Sequence, residues 1–204
     1  MEIKENNKFL VGMFLIMILL IGFLIYFSIP KTNEGGRKDI GIGRAPPMGN
    51  PNAKIKIITF SDFQCPACKA SHPIIDKIFQ DYQEEVVLYY RSFPLSMHEN
   101  SFIAAEAAEC ANEQGKFWKY HDILFENQNN LYKENLKEYA ANIGLNEEQF
   151  NLCLDNEKYK EEILSDIAES KKLNLRGTPT FFINGREVFG VNEKKMREII
   201  EDEI

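Results

Sequence analysis

Cys65 and Cys68 are separated only by Pro66-Ala67 and follow directly on Ile55, Ile57, Ile58 and Phe60, a short β-branched and aromatic run. Such a run reads as a buried strand, here ending at Ser61-Asp62. Pro66 suits the first turn of a helix, where its ring presets φ and its missing N–H would have no partner anyway. Ile74, Ile75, Ile78 and Phe79 recur at helical spacing and carry that helix on, with a kink expected at Pro73. Two thiols must therefore stand one helical turn apart, at the point where a buried strand becomes a helix. Val86 to Phe93 reads as the next strand, which makes the unit βαβ.

The chemistry follows from the placement. A helix N-terminus has unpaired N–H groups and the positive end of the helix dipole, so Cys65 should ionise readily. Free cysteine titrates near ~8.5, and such settings lower it to somewhere between about 3.5 and 7.5. Holding the reduced thiolate stable makes the corresponding disulfide a stronger oxidant. Cys68, a turn further in, should be more buried and less reactive. A substrate thiolate would attack the sulfur of Cys65, Cys68 would depart, and a second substrate thiol would displace Cys65. Run backwards, the same steps reduce a disulfide, and the spacing does not set the direction. Half a zinc site is the first alternative, but Cys110 and Cys153 form no second Cys-x-x-Cys. His72, His98 and His121 are scattered without ligand spacing, so no metal and no cofactor is expected. Two inert buried thiols are the other alternative; the preceding strand and Pro66 favour the redox reading.

From about Asn100 to Leu173 the pattern is helical. Ile103, Ala107, Cys110 and Ala111 share one face; Phe117, Trp118, His121, Leu124 and Phe125 mark a second helix; Leu136, Tyr139, Ala140 and Ile143 mark a third. Asn146 with Gln149 resembles a capping box opening the segment with Phe150 and Cys153, and a last helix carries Tyr159, Ile163 and Ile167. The β pattern then returns in Phe181-Phe182-Ile183, turns at Asn184-Gly185 and continues from Arg186 to Phe189. Asn192 to Ile204 reads as a closing amphipathic helix.

Phe9 to Ile29 contains no charged residue, and its length of about 21 residues reaches roughly 31 Å, the thickness of a bilayer's hydrocarbon core. No small-x-small site follows it at Ser28-Ile29-Pro30-Lys31, so it reads as an uncleaved anchor rather than a signal peptide. Residues 1–8 form a short tail. Lys4 and Lys8 precede the span, whereas Lys31, Arg37, Lys38 and Arg44 follow it, a count that leans against export of the C-terminal part. The thiol chemistry makes more sense outside, and that is the expected side. Residues 30–50, rich in Gly, Pro and charge, read as a flexible linker, leaving residues 51–204 as the folded unit. With 24 Lys+Arg against 31 Asp+Glu and no basic run, the chain offers nothing to a phosphate backbone, and nucleic acid is not an expected partner. Its 44% hydrophobic residues, including 15 Phe, exclude a disordered tail.

Phe60-Ser61-Asp62-Phe63-Gln64-Cys65-Pro66-Ala67-Cys68-Lys69, the helical stretch Ala104 to Gln128, and Gly177-Thr178-Pro179-Thr180-Phe181-Phe182-Ile183-Asn184-Gly185 together resemble the DsbA-like branch of the thioredoxin superfamily. The resemblance implies an α/β thioredoxin fold with an inserted helical domain, at about residues 98–174, here preceded by one transmembrane helix. It implies a thiol-disulfide oxidoreductase with Cys65 as nucleophile and Cys68 as resolving thiol. It also implies a cis Pro179 facing the pair and Thr178 meeting substrate backbone. Pro66, Ala67, Asp62 and Thr59 are the expected neighbours of the site. Cysteine-containing exported proteins would be the substrates and a membrane redox partner the re-oxidant.

Two departures stand out. Relatives often carry an acid six residues before the first cysteine, where this chain has Thr59, and oxidising members carry His where it has Ala67. A less extreme oxidant is therefore expected, with proton handling left to water or to Asp62. Asp62 is otherwise a helix-capping carboxylate. Cys110 and Cys153 lie on the buried faces of two insertion helices, either as a structural disulfide or as two unpaired small hydrophobes. His121, among aromatics with Trp118, reads as a packed side chain ahead of a catalytic one.

Overall fold

The computed structural model describes residues 13, 15–21, 23 and 36–204. They divide into two units, the boundary falling after Gly36. In the first, residues 13, 15–21 and 23 are helical and exposed. Among the described residues no helix is long and apolar enough to cross a membrane, and the anchor expected over residues 9–29 lies for the most part outside them.

The second unit is a mixed five-stranded sheet between helical layers. In chain order it contains β1 (Met48–Gly49), β2 (Ile55–Ser61), α1 (Pro66–Tyr82), β3 (Val86–Ser92) and then the helices α2 (Ser101–Asn112), α3 (Phe117–Glu126), α4 (Lys133–Asn142), α5 (Glu147–Asp155) and α6 (Lys160–Lys172). The chain closes with β4 (Thr180–Ile183), β5 (Arg186–Phe189) and α7 (Glu193–Glu203). The sheet order is β1-β3-β2-β4-β5, with β2 and β3 parallel and the other pairs antiparallel. α1 runs on through Pro73 as one helix.

Side-chain alternation along the strands splits the core between the two faces of the sheet. Ile55 and Ile57 pack with Ile75 and Ile78 of α1 and with Met196, Ile199 and Ile200 of α7. Ile58 and Phe60 point the other way, into a cluster with Val87, Tyr89 and Phe182 that Ile167 of α6 and Leu173 help to cover. β2 is thus the centre of the sheet and buried on both sides, which is why it reads as a continuous apolar run. The remaining helices form their own core around Phe117, Tyr120, Leu124 and Phe150, and both Cys65 and Cys68 belong to that cluster. Between β4 and β5, Asn184 and Gly185 both have positive φ (45° and 84°), the geometry a two-residue hairpin turn requires.

The expectation of a flexible linker over residues 30–50 is corrected from Arg37 onward. Ile40 and Ala45 are buried, and Met48–Gly49 pairs with Leu88 and Val87 as the edge strand β1. The carbonyl of Gly41 accepts from Arg91 Nη1 at 2.6 Å and that of Pro46 from Trp118 Nε1 at 3.0 Å. The strap also meets the hairpin turn, since Lys38 N–H donates to the Gly185 carbonyl at 2.9 Å, and a Cβ on Gly185 would lie 2.5 Å from the Lys38 oxygen. A strap that docks through backbone carbonyls and a few small apolar residues has no periodicity to read, which is why its Gly and Pro content suggested a tether. Residues 30–35 lie outside the described residues.

Arg91, only 4% exposed, ties β3 to α6 through Asp166 (Nε to Oδ1, 2.8 Å) and Glu169 (Nη2 to Oε2, 2.6 Å). Within the helical layer Cys110 of α2 and Cys153 of α5 are disulfide-bonded, with Cα atoms 5.8 Å apart and a sequence separation of 43. Closing a loop of that length restricts the unfolded chain by about 3–4 kcal/mol. Converting both to serine should lower the unfolding free energy of the oxidised chain by roughly that amount in a urea titration. A loss under about 1 kcal/mol would show that the bridge does not hold the layer together.

Candidate active site

The site is assembled where β2 ends. Asp62 follows the strand and is 1% exposed. Its Oδ1 accepts from Gln64 N–H at 2.7 Å, and its Oδ2 from Leu95 N–H at 2.7 Å with His98 Nδ1 at 2.8 Å. The carboxylate thus ties the loop before Cys65 to the loop after β3, and α1 has no side-chain cap. The helix-cap expectation for Asp62 is corrected: its oxygens are spent on loop donors two and more than thirty residues away, so the side chain never reaches the helix. Gln128, which the sequence reading did not single out, supports the same loop from beyond α3. Its Nε2 donates to the carbonyls of Phe63 at 2.8 Å and Cys65 at 2.9 Å. Nothing local to Gln128 announces this contact, because it joins residues more than sixty positions apart.

Cys65 occupies the N-cap position of α1 with Pro66 in the first turn, and Pro66 and Ala67 are exposed beside it. Both cysteines are unbonded; Cys65 is 7% exposed and Cys68 fully buried. The Thr178–Pro179 peptide bond is cis, and Cys65 Sγ lies 3.4 Å from the Thr178 carbonyl oxygen, which accepts from the protonated thiol. The Thr178 side chain is buried, and its hydroxyl has no oxygen or nitrogen partner among the described residues.

The two thiols are driven apart in acidity. Cys65 is lowered to about 5: the Cys68 thiol is the largest contributor, burial opposes it, and the Thr178 side chain and the backbone N–H groups of Cys68 and Ala67 add to the lowering. Cys68 is pushed far up, first by burial and then by its place beside Cys65. The helix N-terminus thus contributes through its amides, as expected, but the partner sulfur does more. An acceptor thiolate and a donor thiol of this kind share one proton between them, and the outer sulfur keeps the charge.

Thr59, where relatives often carry an acid, is buried and lines a cavity of about 40 Å³ together with Ser61, Ser71, His72, Asp76, His121 and Asp122, among others. Tyr90, buried on the same side of the sheet, stacks on Phe63 with ring centroids 5.2 Å apart. The reading of the histidines as scattered is also corrected. His72 of α1 and His121 of α3 lie face to face, centroids 4.9 Å apart and planes within 3°. Burial lowers His72 to about 4, with His121 adding to the effect, and burial lowers His121 as well. His72 stands four residues after Cys68 and therefore on the same helix face, a spacing that could have marked it. His121 is packed among Phe63, Tyr90, Phe117, Trp118 and Phe125, as its aromatic surroundings suggested.

A family model described as Thioredoxin matches residues 43–202. The chain belongs to the thioredoxin family. Among solved structures, this thioredoxin-family chain is similar to a thioredoxin-like oxidoreductase from Silicibacter pomeroyi, at 28% identity and a TM-score of 0.70, covering 78% of this chain and 91% of that one. It is also similar to oxidised BdbD from Bacillus subtilis, at 25% identity and a TM-score of 0.72, covering 82% and 96%. Among curated proteins, an Na(+)/H(+) antiporter NhaA 3 from Salinispora tropica is 35% identical over 143 residues, which are 70% of this chain and 22% of that protein. The chain spans about a fifth of the length of the curated relatives it matches.

The acidity split gives a direct measurement. Alkylation of Cys65 by iodoacetamide should show a midpoint near pH 5, well below the ~8.5 of free cysteine. Cys68→Ala should raise that midpoint, and by more than Thr178→Val does. Because the folded value lies below the unfolded one, the thiolate stabilises the reduced fold fully above about pH 8.5, and this is lost as pH falls through about 5. The stability of the reduced chain relative to the oxidised one should decline over that window; a flat difference would contradict the assignment.

Proposed function

We propose that this chain is a membrane-anchored thiol-disulfide oxidoreductase that oxidises cysteines of exported proteins through the Cys65-Pro66-Ala67-Cys68 pair. The observation that carries the reading is the opposed acidity of two sulfurs one helical turn apart, the outer one held as thiolate near neutral pH. Its structural neighbours are thiol-disulfide oxidoreductases, which supports the same chemistry.

In the oxidising direction the Cys65–Cys68 disulfide is the electron acceptor. A client thiolate attacks Sγ of Cys65, the Cys65–Cys68 bond breaks, and Cys68 leaves and takes up a proton, as its raised pKa favours. A second client thiolate then attacks the client sulfur of the mixed disulfide. Cys65 departs as a thiolate, and the client keeps the new S–S bond while two electrons remain on the pair. The second departure is easy because Cys65 is the more acidic thiol, and low leaving-group pKa speeds exchange. Stabilisation of the reduced thiolate biases the equilibrium the same way. Ala67 between the cysteines supplies no imidazole, so the bias falls short of the strongest oxidants. Thr178 and Pro179 form the loop beside Cys65 where client backbone would dock. Re-oxidation falls to a redox partner in the membrane, and the apolar run Phe9 to Ile29 anchors the domain on its outer face.

Cys68→Ala in the full chain should accumulate mixed disulfides between Cys65 and client proteins, released by dithiothreitol. The oxidised wild-type chain should accelerate disulfide formation in a reduced, unfolded protein by at least about tenfold over buffer, and Cys65→Ser should abolish that. Acceleration restricted to scrambled substrate would make it an isomerase. Refolding assistance that survives Cys65→Ser would make it a tethered binding module.

A further inference from the structure

Outside the cysteine pair, the cavity between α1, α3 and the sheet gathers two imidazoles and two carboxylates: His72 and Asp76 from α1, His121 and Asp122 from α3. We propose that His72, His121 and Asp122 form a binding site for one divalent transition-metal ion of the zinc class, tying the helix that starts at the redox cysteines to the helical layer.

The donor atoms of these three residues all lie within 4.8 Å of one another. Tetrahedral zinc, with bonds of about 2.0–2.2 Å to nitrogen and oxygen, needs its donors roughly 3.4 Å apart, so a closure of about 1.4 Å or less brings them into range. The rings now lie parallel, and parallel imidazoles cannot aim their in-plane lone pairs at one point, so one ring has to turn. His72 is the ring that turns: it is half-buried, and among the described residues no hydrogen bond holds it, its only close ring neighbour besides His121 being Phe125, with centroids 4.1 Å apart. His121 is fixed by its aromatic box. Its Nδ1 lies 2.9 Å from Asp122 Oδ1, so the two donor groups supplied by α3 already stand side by side.

The donor set points to the ion. Two imidazoles with one carboxylate suit a borderline cation rather than calcium or magnesium, which take oxygen ligands. Three protein ligands leave a fourth position at the mouth, where Asp76 adds negative charge and the side chain of Asp122 is 61% exposed. Lys69, whose field reaches His72, is drawn to the carbonyl of Glu126 at 3.2 Å. Zinc neither gains nor loses electrons here, so binding leaves the cysteine pair in whichever redox state it holds.

Reduced cysteines would compete for the metal, so the test uses the full chain with Cys65 and Cys68 in the disulfide form. Titrated with zinc chloride in a calorimeter, it should bind one ion per chain. His72→Gln should weaken binding by at least tenfold and Asp122→Asn by severalfold, while Asp155→Asn, on α5 outside the cavity, should leave it unchanged. His121 is buried, so His121→Gln is read only if its thermal transition matches the wild type; the other two variants carry the test without it. Absence of saturable binding, or an affinity untouched by His72→Gln, overturns the proposal.

Discussion

A thiolate can persist at Cys65 because its negative charge is met on several sides at once: by the buried thiol of Cys68, by the Thr178 side chain and by the first amides of α1. Each of these comes from a different part of the chain, and the fold is what brings them to one sulfur. Burial alone would push the same thiol up, as it does Cys68. The sign of the shift at Cys65 therefore depends on donors outweighing desolvation, and those donors stay in place only while the loop before α1 is rigid.

That rigidity has a physical source in Asp62. A carboxylate at 1% exposure is costly unless its oxygens are hydrogen-bonded, and three donors from two loops satisfy it. Losing even one neutral partner of such a buried group costs about 1–3 kcal/mol, so the two loops are locked together by the penalty of separating them. Gln128 adds a second tie by holding the carbonyls of Phe63 and Cys65. Arg91 does comparable work on the far side of the sheet, where two carboxylates and the Gly41 carbonyl surround a guanidinium that also lies over the Phe60 ring, 5.2 Å from its centroid. Strap, sheet and helical layer meet at that one side chain.

Most of the fold was legible because its elements are marked locally. The apolar run of β2, Pro66 after Cys65, the Asn184-Gly185 turn and the Asn146 cap, whose Oδ1 accepts from Gln149 N–H at 2.9 Å, each declare themselves within four residues. The strap over residues 37–50 did not. Its edge strand is only two residues long, and its remaining contacts run through carbonyls that any sequence supplies. Side-chain patterning reports which residues prefer burial, whereas this segment docks mainly by what its backbone accepts.

The candidate site divides along the same line. Cys65 and Cys68 could be named from spacing, and so could the direction of the Cys65 shift, because an N-terminal helix position is a local property. Its principal cause could not, since a thiol-to-thiolate contact requires knowing that Cys68 is buried and still aimed at Cys65. Asp62 shows the limit from the other side: a carboxylate directly after a strand and three residues before a cysteine invites a capping role, yet its partners include Leu95 and His98, over thirty residues away. The histidines show no ligand spacing along the chain, because the relevant spacing crosses from α1 to α3. Residues that act within one turn of helix can be read from order alone; those that act by closing a cavity depend on which helices pack together, a choice made by apolar faces such as those of Phe117, Leu124 and Phe125 rather than by the polar groups that the packing brings into contact.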